Sequence, residues 1–217
     1  MPAFTQTGQP DSILAWFRTE AGRAVLDSER RIVEDALAER PGRPWLWLAP
    51  VLSEPSDKGR GLALSATSRG WAGPVACSLP LPLPSAAFCT VVLQHPAAST
   101  PQAGALLEEA ARILEPGGRL WLFALNPLAP YRWRWRGLGL RAPEPLTWRW
   151  RLRAVGLHPD PVSRGVGPSW GVAESTQPQD GPGLRAAYLI RAEKRTLPMT
   201  PVRGRRALRL ATGASAG

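Results

Sequence analysis

His95 is one of only two histidines in the chain, and an imidazole with its ordinary pKa of about 6.5 suits proton removal near neutrality. It ends a short apolar run and precedes Pro96, so it is either a candidate general base or a turn residue with a satisfied ring. His158, between Leu157 and Pro159, reads as loop. Asn126, ahead of Pro127, ends a second apolar run, where it either lines a pocket or serves plain turn chemistry. Cys77 and Cys89 are too few for a disulfide framework and fit a reduced, cytoplasmic setting. No metal site is expected.

A second group of chemistry-bearing residues lies between 131 and 153. Tyr-Arg-Trp-Arg-Trp-Arg is followed by Trp148-Arg-Trp-Arg-Leu-Arg, which makes seven arginines and four tryptophans with Glu144 as the sole acid. Arginine alternating with tryptophan can grip phosphates while stacking on bases, or lie at a membrane interface with its aromatics inserted. The plainest reading is an amphipathic connector and a helix from Leu146 to Val155 with its indoles packed inward. Single-stranded nucleic acid ranks next.

These residues need a scaffold, and residues 88–127 define it. Phe-Cys-Thr-Val-Val-Leu-Gln-His, a helical run ending Arg-Ile-Leu-Glu-Pro-Gly-Gly, and Arg-Leu-Trp-Leu-Phe-Ala-Leu-Asn form a βαβ unit with both strands buried, which implies a parallel sheet. Ala103, Leu106, Leu107, Ala110 and Leu114 share one helix face; Glu108, Glu109, Arg112 and Glu115 take the other, with Glu108 and Arg112 spaced for an ion pair. Pro116, Gly117 and Gly118 supply the stop and the reversal. Upstream, Asp11 or Ser12 can cap a helix from Ile13, and a second runs from Glu20 to Arg40. Strands are expected at 45–48, 62–65, 75–77 and 186–192, with a long loop over 159–183.

At these residues the chain resembles a known family. Leu114-Glu-Pro-Gly-Gly-Arg-Leu between helix and strand, after a strand ending Val-Val-Leu-Gln-His, is similar to the fourth strand, fourth helix and fifth strand of class I S-adenosylmethionine-dependent methyltransferases. Tyr188-Leu-Ile-Arg-Ala-Glu-Lys-Arg with Met199-Thr-Pro-Val-Arg resembles the last strand and basic tail of a bacterial subgroup. Trp16, Gly22, Arg23 and Leu26 ahead of Glu29 resemble that subgroup's N-terminal helices. The resemblance implies an α/β, Rossmann-like, seven-stranded, mostly parallel sheet with N-terminal helices and with shortened crossover helices on the cofactor half. It divides the chain into a helical extension (1–40), a methyltransferase-like domain (41–195) and a basic tail (196–217).

In that layout S-adenosylmethionine lies beyond the carboxyl ends of the strands, where strand order reverses. The positions facing it are Leu48, Ala49, Pro50, Ser65, Ser78 and Gln94; Asn126, Tyr131, Trp133 and Trp135 fall to the methyl acceptor, and His95 to the base. The family's motifs are eroded here. Ala49-Pro50-Val51-Leu52-Ser53 stands where a glycine-rich turn is usual, Ser65 where an acid holds the ribose, and Cys77 or Ser78 where an acid faces the adenine. Either other groups hold the cofactor, weakly, or the site has been lost. The implied function is methyl transfer to an unidentified acceptor; the alternatives are an inactive fold relative acting as a binding module, and a nucleic-acid or membrane-surface binder using 131–153.

Composition bounds these readings. A chain of 217 residues can bury roughly 70% of its unfolded surface in one domain. Its 21 glycines and 24 prolines predict long irregular connections. Residues 70–107 carry no formal charge, but six prolines interrupt them, so no transmembrane segment is expected. No export signal is expected either. The net charge of +10 is nearly all arginine, 25 residues against Lys58 and Lys194. It can attract phosphates or anionic lipids, yet charge of this composition does not name a partner.

Overall fold

The computed structural model describes residues 14–52, 59–173, 175 and 177–195. The cap at Asp11 or Ser12 and the basic tail beyond 195 lie outside these residues. The 53–58 stretch of the first crossover does too, and no helix occurs in the rest of that connection.

The βαβ unit forms as its periodicity predicts. Strand β4 (Phe88–Gln94) is buried along its whole length, and strand β5 (Leu114–Leu125) runs parallel beside it, Val92 facing Trp121 and Gln94 facing Phe123. The helix between them spans Ala103–Ile113 and buries Ala103, Leu106, Leu107 and Ala110. It stops earlier than Pro116 requires, because β5 already begins at Leu114. Gly117, at φ +75°, makes the turn inside the strand, and the Lys194 ammonium donates to the Ala111 and Leu114 carbonyls at 2.6 and 2.7 Å, closing the helix end. The expected Glu108–Arg112 pair is replaced. Arg112 instead pairs with Glu109 at 2.7 Å and donates to the carbonyls of Leu81 and Leu83, so the two charges clamp the proline-rich segment over the helix.

Around this unit, among the described residues, the sheet has nine strands, not the seven expected, in the order β3-β2-β1-β4-β5-β9-β7-β8 with β6 beside β9. Strand β1 (Trp45–Ala49) is central and parallel to both β2 (Gly61–Thr67) and β4. Strand β9 (Ala187–Glu193) returns antiparallel to β5. Three of the nine are short pieces, β6 (His158–Pro159), β7 (Arg164–Val166) and β8 (Gln179–Asp180), formed where the sequence reads as loop. The fold is therefore mixed α/β with its parallel part, β2-β1-β4-β5, at the centre.

The third strand differs from expectation. Residues 75–77 form no strand; only Cys77 bridges back to Trp71. Strand β3 is Gly70–Ala72, antiparallel to β2, with Thr67 paired to Gly70. A parallel return needs a crossover of a dozen or more residues, and two residues separate β2 from β3. Only a hairpin can close so short a gap.

Helices cover the two faces unevenly. One face packs on the 103–113 helix and on α4 (Pro145–Ala154), whose Trp148 and Leu152 are fully buried. The other receives a single long helix, α1 (Glu20–Ala38), with Val33, Ala36 and Leu37 in the core. Three indoles from the strands pack in the same cluster as these α1 side chains: Trp45, Trp47 and Trp121 are 3%, 4% and 6% exposed. Arg191 lies 4.7 Å over the Trp121 ring. We number the four-residue turn Pro96–Ser99 as α2 and the 103–113 helix as α3. Among the described residues no helix is long and apolar enough to cross a membrane.

Candidate functional site

Strand order reverses between β1 and β4, since the chain leaves β1 toward β2 on one side and returns to β4 on the other. Polar side chains are expected at the carboxyl ends of these two strands, and a buried network occupies them. The Trp47 indole donates to Gln94 Oε1 at 2.7 Å, and Gln94 Nε2 donates to Glu29 Oε2 at 2.8 Å. Glu29 Oε1 lies 3.1 Å from His95 Nε2, with both side chains fully buried. The Phe17 ring stacks on the imidazole at 4.9 Å.

Local backbone puts these groups together. His95 adopts a left-handed conformation, φ 49° and ψ 50°, between β4 and α2, at a cost of about 1–3 kcal/mol for a residue with a β-carbon. That turn swings the ring back under α1 instead of out over the rim. Glu29 lies on the same stripe of α1 as Val25 and Val33, so the periodicity that buries the helix carries a carboxylate inward. Gly22 permits the approach of the preceding turn: a β-carbon there would meet the Trp16 carbonyl at 2.3 Å.

Beside the network a cavity of about 260 Å³ opens at the rim. Trp47 and Gln94 from the strands, Val51 and Leu52 after β1, and Phe17, Arg23, Leu26, Asp27 and Arg30 from the N-terminal helical region line it. Arg30 pairs with Asp27 at 2.6 Å. Two guanidiniums and one carboxylate over an apolar floor complement a zwitterion attached to an apolar body.

The residues singled out in the sequence take different places. Gln94 lines this cavity, whereas Leu48, Ala49 and Pro50 are buried and are not part of its lining. The Ser65 hydroxyl donates to the Ala72 carbonyl at 3.1 Å, tying β2 to β3. Ser78 is exposed and lines a separate hollow with Thr67 and Gln102. His95 is 1% exposed and does not line the rim cavity. Asn126 is buried and donates to the Gly183 and Arg185 carbonyls at 3.0 and 2.9 Å while accepting from Leu128 N–H, so it pins the 182–185 loop. The Tyr131 hydroxyl donates to the Ala21 carbonyl at 3.0 Å, and Trp135 packs on Trp16 at 5.4 Å; both are buried. Trp133 points outward, 73% exposed.

Arg23, Asp27 and Trp47 line the cavity and Glu29 lies buried beside it, roles that the sequence does not assign to them even though Arg23 and Glu29 fall in the segment resembling the N-terminal helices. The signal for Glu29 was available, an acid in register with Val25, Val33 and Leu37 on an apolar stripe. Cys77 and Cys89 are free thiols, with burial pushing the Cys77 thiol up from its ordinary value. Among the described residues no three His, Cys, Asp or Glu side chains gather for a metal ion.

A parallel core with its order reversing at β1/β4, an antiparallel last strand beside β5, and a rim site at the carboxyl ends define the fold of class I S-adenosylmethionine-dependent methyltransferases. Solved structures bear this out. A methyltransferase of Thermotoga maritima is 18% identical at TM-score 0.55, covering 85% of this chain and 96% of its own. The cyclase SpnF is 17% identical at TM-score 0.56, covering 90% and 97%. A methyltransferase of Aquifex aeolicus is 14% identical at TM-score 0.52, covering 85% and 97%. No protein-family model matches the sequence, and no curated protein matches it.

Proposed function

We propose that the chain is a divergent methyltransferase that takes S-adenosylmethionine by its amino-acid end in the rim cavity. The observation that carries this reading is the lining itself, Arg23, Asp27 and Arg30 beside Trp47 and Gln94 at the reversal of strand order. The fit is one-sided. Arg23 suits the ligand's carboxylate, and Asp27, which Arg30 already holds at 2.6 Å, has its second oxygen for the ammonium, while the nucleoside end lacks a glycine turn and finds Ser65 already engaged with Ala72. The bound group supplies an electrophilic methyl on a sulfonium. The chain supplies placement: Trp47 and Phe17 exclude water, and Glu29 with His95 fixes α1 over the strand ends. A base must come within about 2.6–3.2 Å of the proton it removes, and His95, sealed under Phe17, serves in this arrangement as a positioning residue.

A second reading is a methyltransferase-fold protein without catalysis, favoured by the engaged Ser65 and the sealed His95. SpnF, a cyclase on the same fold, illustrates that architecture alone does not set the reaction. Calorimetry with S-adenosylmethionine and S-adenosylhomocysteine separates the two. Binding is expected, with Arg23→Ala weakening it about 10- to 150-fold, the range for one charge-assisted hydrogen bond. No heat and no thermal shift at millimolar ligand would leave the non-catalytic reading standing.

A further inference from the structure

The Arg/Trp alternation after β5 is sorted by the 3-10 turn Pro130–Arg134 into an inner and an outer set. Tyr131 and Trp135 go into the core, while Arg132, Trp133 and Arg136 face out. The outer set lines a groove of about 540 Å³ together with Leu128 and Trp170. Trp133, Trp170 and Leu128 are 73%, 69% and 72% exposed, so none of them supports the core. Arg136 covers one face of the Trp133 ring at 4.7 Å, and the Arg134 guanidinium donates to the Trp170 carbonyl at 3.3 Å, tying the turn to the Trp170 segment. No carboxylate lines the groove.

We infer that this groove binds single-stranded nucleic acid, its bases stacking on the exposed Trp133 and Trp170 rings and the flanking phosphates meeting Arg132 and Arg136. Three features select this partner. Exposed indoles offer ring faces for stacking, which is tolerant of base identity. The two guanidiniums, free of acidic neighbours in the lining, complement a phosphate chain. The surface is a hollow of about 540 Å³, large enough for a base; an anionic bilayer would be met better by a protruding apolar apex. The inference stands apart from the rim cavity and does not require a cofactor.

The test uses the full chain and a fluorescein-labelled single-stranded uridine 12-mer, read by anisotropy. Trp133→Ala and Trp170→Ala are each expected to weaken binding about 5- to 150-fold, the range for loss of one stacked base. Arg132→Gln with Arg136→Gln should reduce the slope of log affinity against log salt by about 1.4, for two phosphate contacts on a single strand. Unchanged thermal unfolding of the variants confirms that the loss is local. Wild-type affinity in the tryptophan variants would assign binding to the arginine-rich 203–209 segment and overturn the inference. No binding to the oligonucleotide, or binding only to vesicles of phosphatidylcholine and phosphatidylglycerol, would overturn it equally.

Discussion

Glu29 is a carboxylate removed from water and answered by two side chains, Gln94 and His95, from the end of β4. A buried pair adds little net stability over an apolar substitute, but removing one partner strands the other, at about 3–5 kcal/mol. Glu29→Ala and His95→Ala are each expected to fall in that range in urea denaturation. Because they share one interaction, the double variant should be less destabilised than the sum, by about 0.5–3 kcal/mol. Strict additivity would show that the two side chains do not depend on each other. This residue also marks the limit of motif reading. His95 was visible as a titratable side chain after a strand, whereas its left-handed backbone and its burial under Phe17 depend on α1, which is distant in sequence. Asn126, which the sequence leaves between pocket lining and turn chemistry, and Tyr131, which the resemblance gives to the acceptor, both tie loops to the scaffold through backbone carbonyls. A polar side chain near a strand end carries the same sequence signal in either role.

At the scale of elements, legibility followed the strength of local periodicity. The 88–125 unit and α1 were legible because a 3.6-residue stripe and continuous apolar runs leave little choice. The third strand was misplaced because the β2–β3 hairpin is set by a two-residue gap and by Gly70, not by an apolar pattern. The layer of indoles between the sheet and α1 is equally hidden, since Trp45 and Trp47 read simply as strand residues. Their consequence is testable at Gly61, where a methyl group would sit 1.9 Å from Trp45 Cε2. Overpacking of this kind costs about 1–3 kcal/mol, so Gly61→Ala should lower the urea midpoint. In a Trp45→Ala background the obstruction is gone, and alanine's smaller loss of backbone freedom in a strand should make the same substitution neutral or stabilising, by up to about 1 kcal/mol. A cost that persists in that background would mean the indole does not lie on the strand.

At the scale of the whole molecule, 17 acids stand against 27 basic side chains, and the acids join parts distant in sequence. Glu115 holds Arg43 ahead of β1, Glu39 pairs with Arg119 across the sheet, and Glu109 with Arg112 fastens the 81–85 segment. Acidification should therefore do two things together: release these ties and raise an already positive charge, whose self-repulsion disfavours the compact state. The Glu109 carboxyl is held below the ordinary glutamate value of 4.5, first by its hydrogen bond to Arg112 and further by the Leu81 N–H. A carboxylate lowered on folding contributes stability that is complete above its unfolded value and is lost as pH falls through its folded one. Glu109→Gln should accordingly be less stable than the parent at pH 7, and the gap in urea midpoint should close below pH 4.5 as the parent's own carboxylate takes up its proton. Urea midpoints measured at intervals from pH 7 down to about pH 3 decide the matter. A gap that stays constant over that range would show that Glu109 acts through shape alone, and that the acid sensitivity of this arginine-rich molecule arises from its other ion pairs.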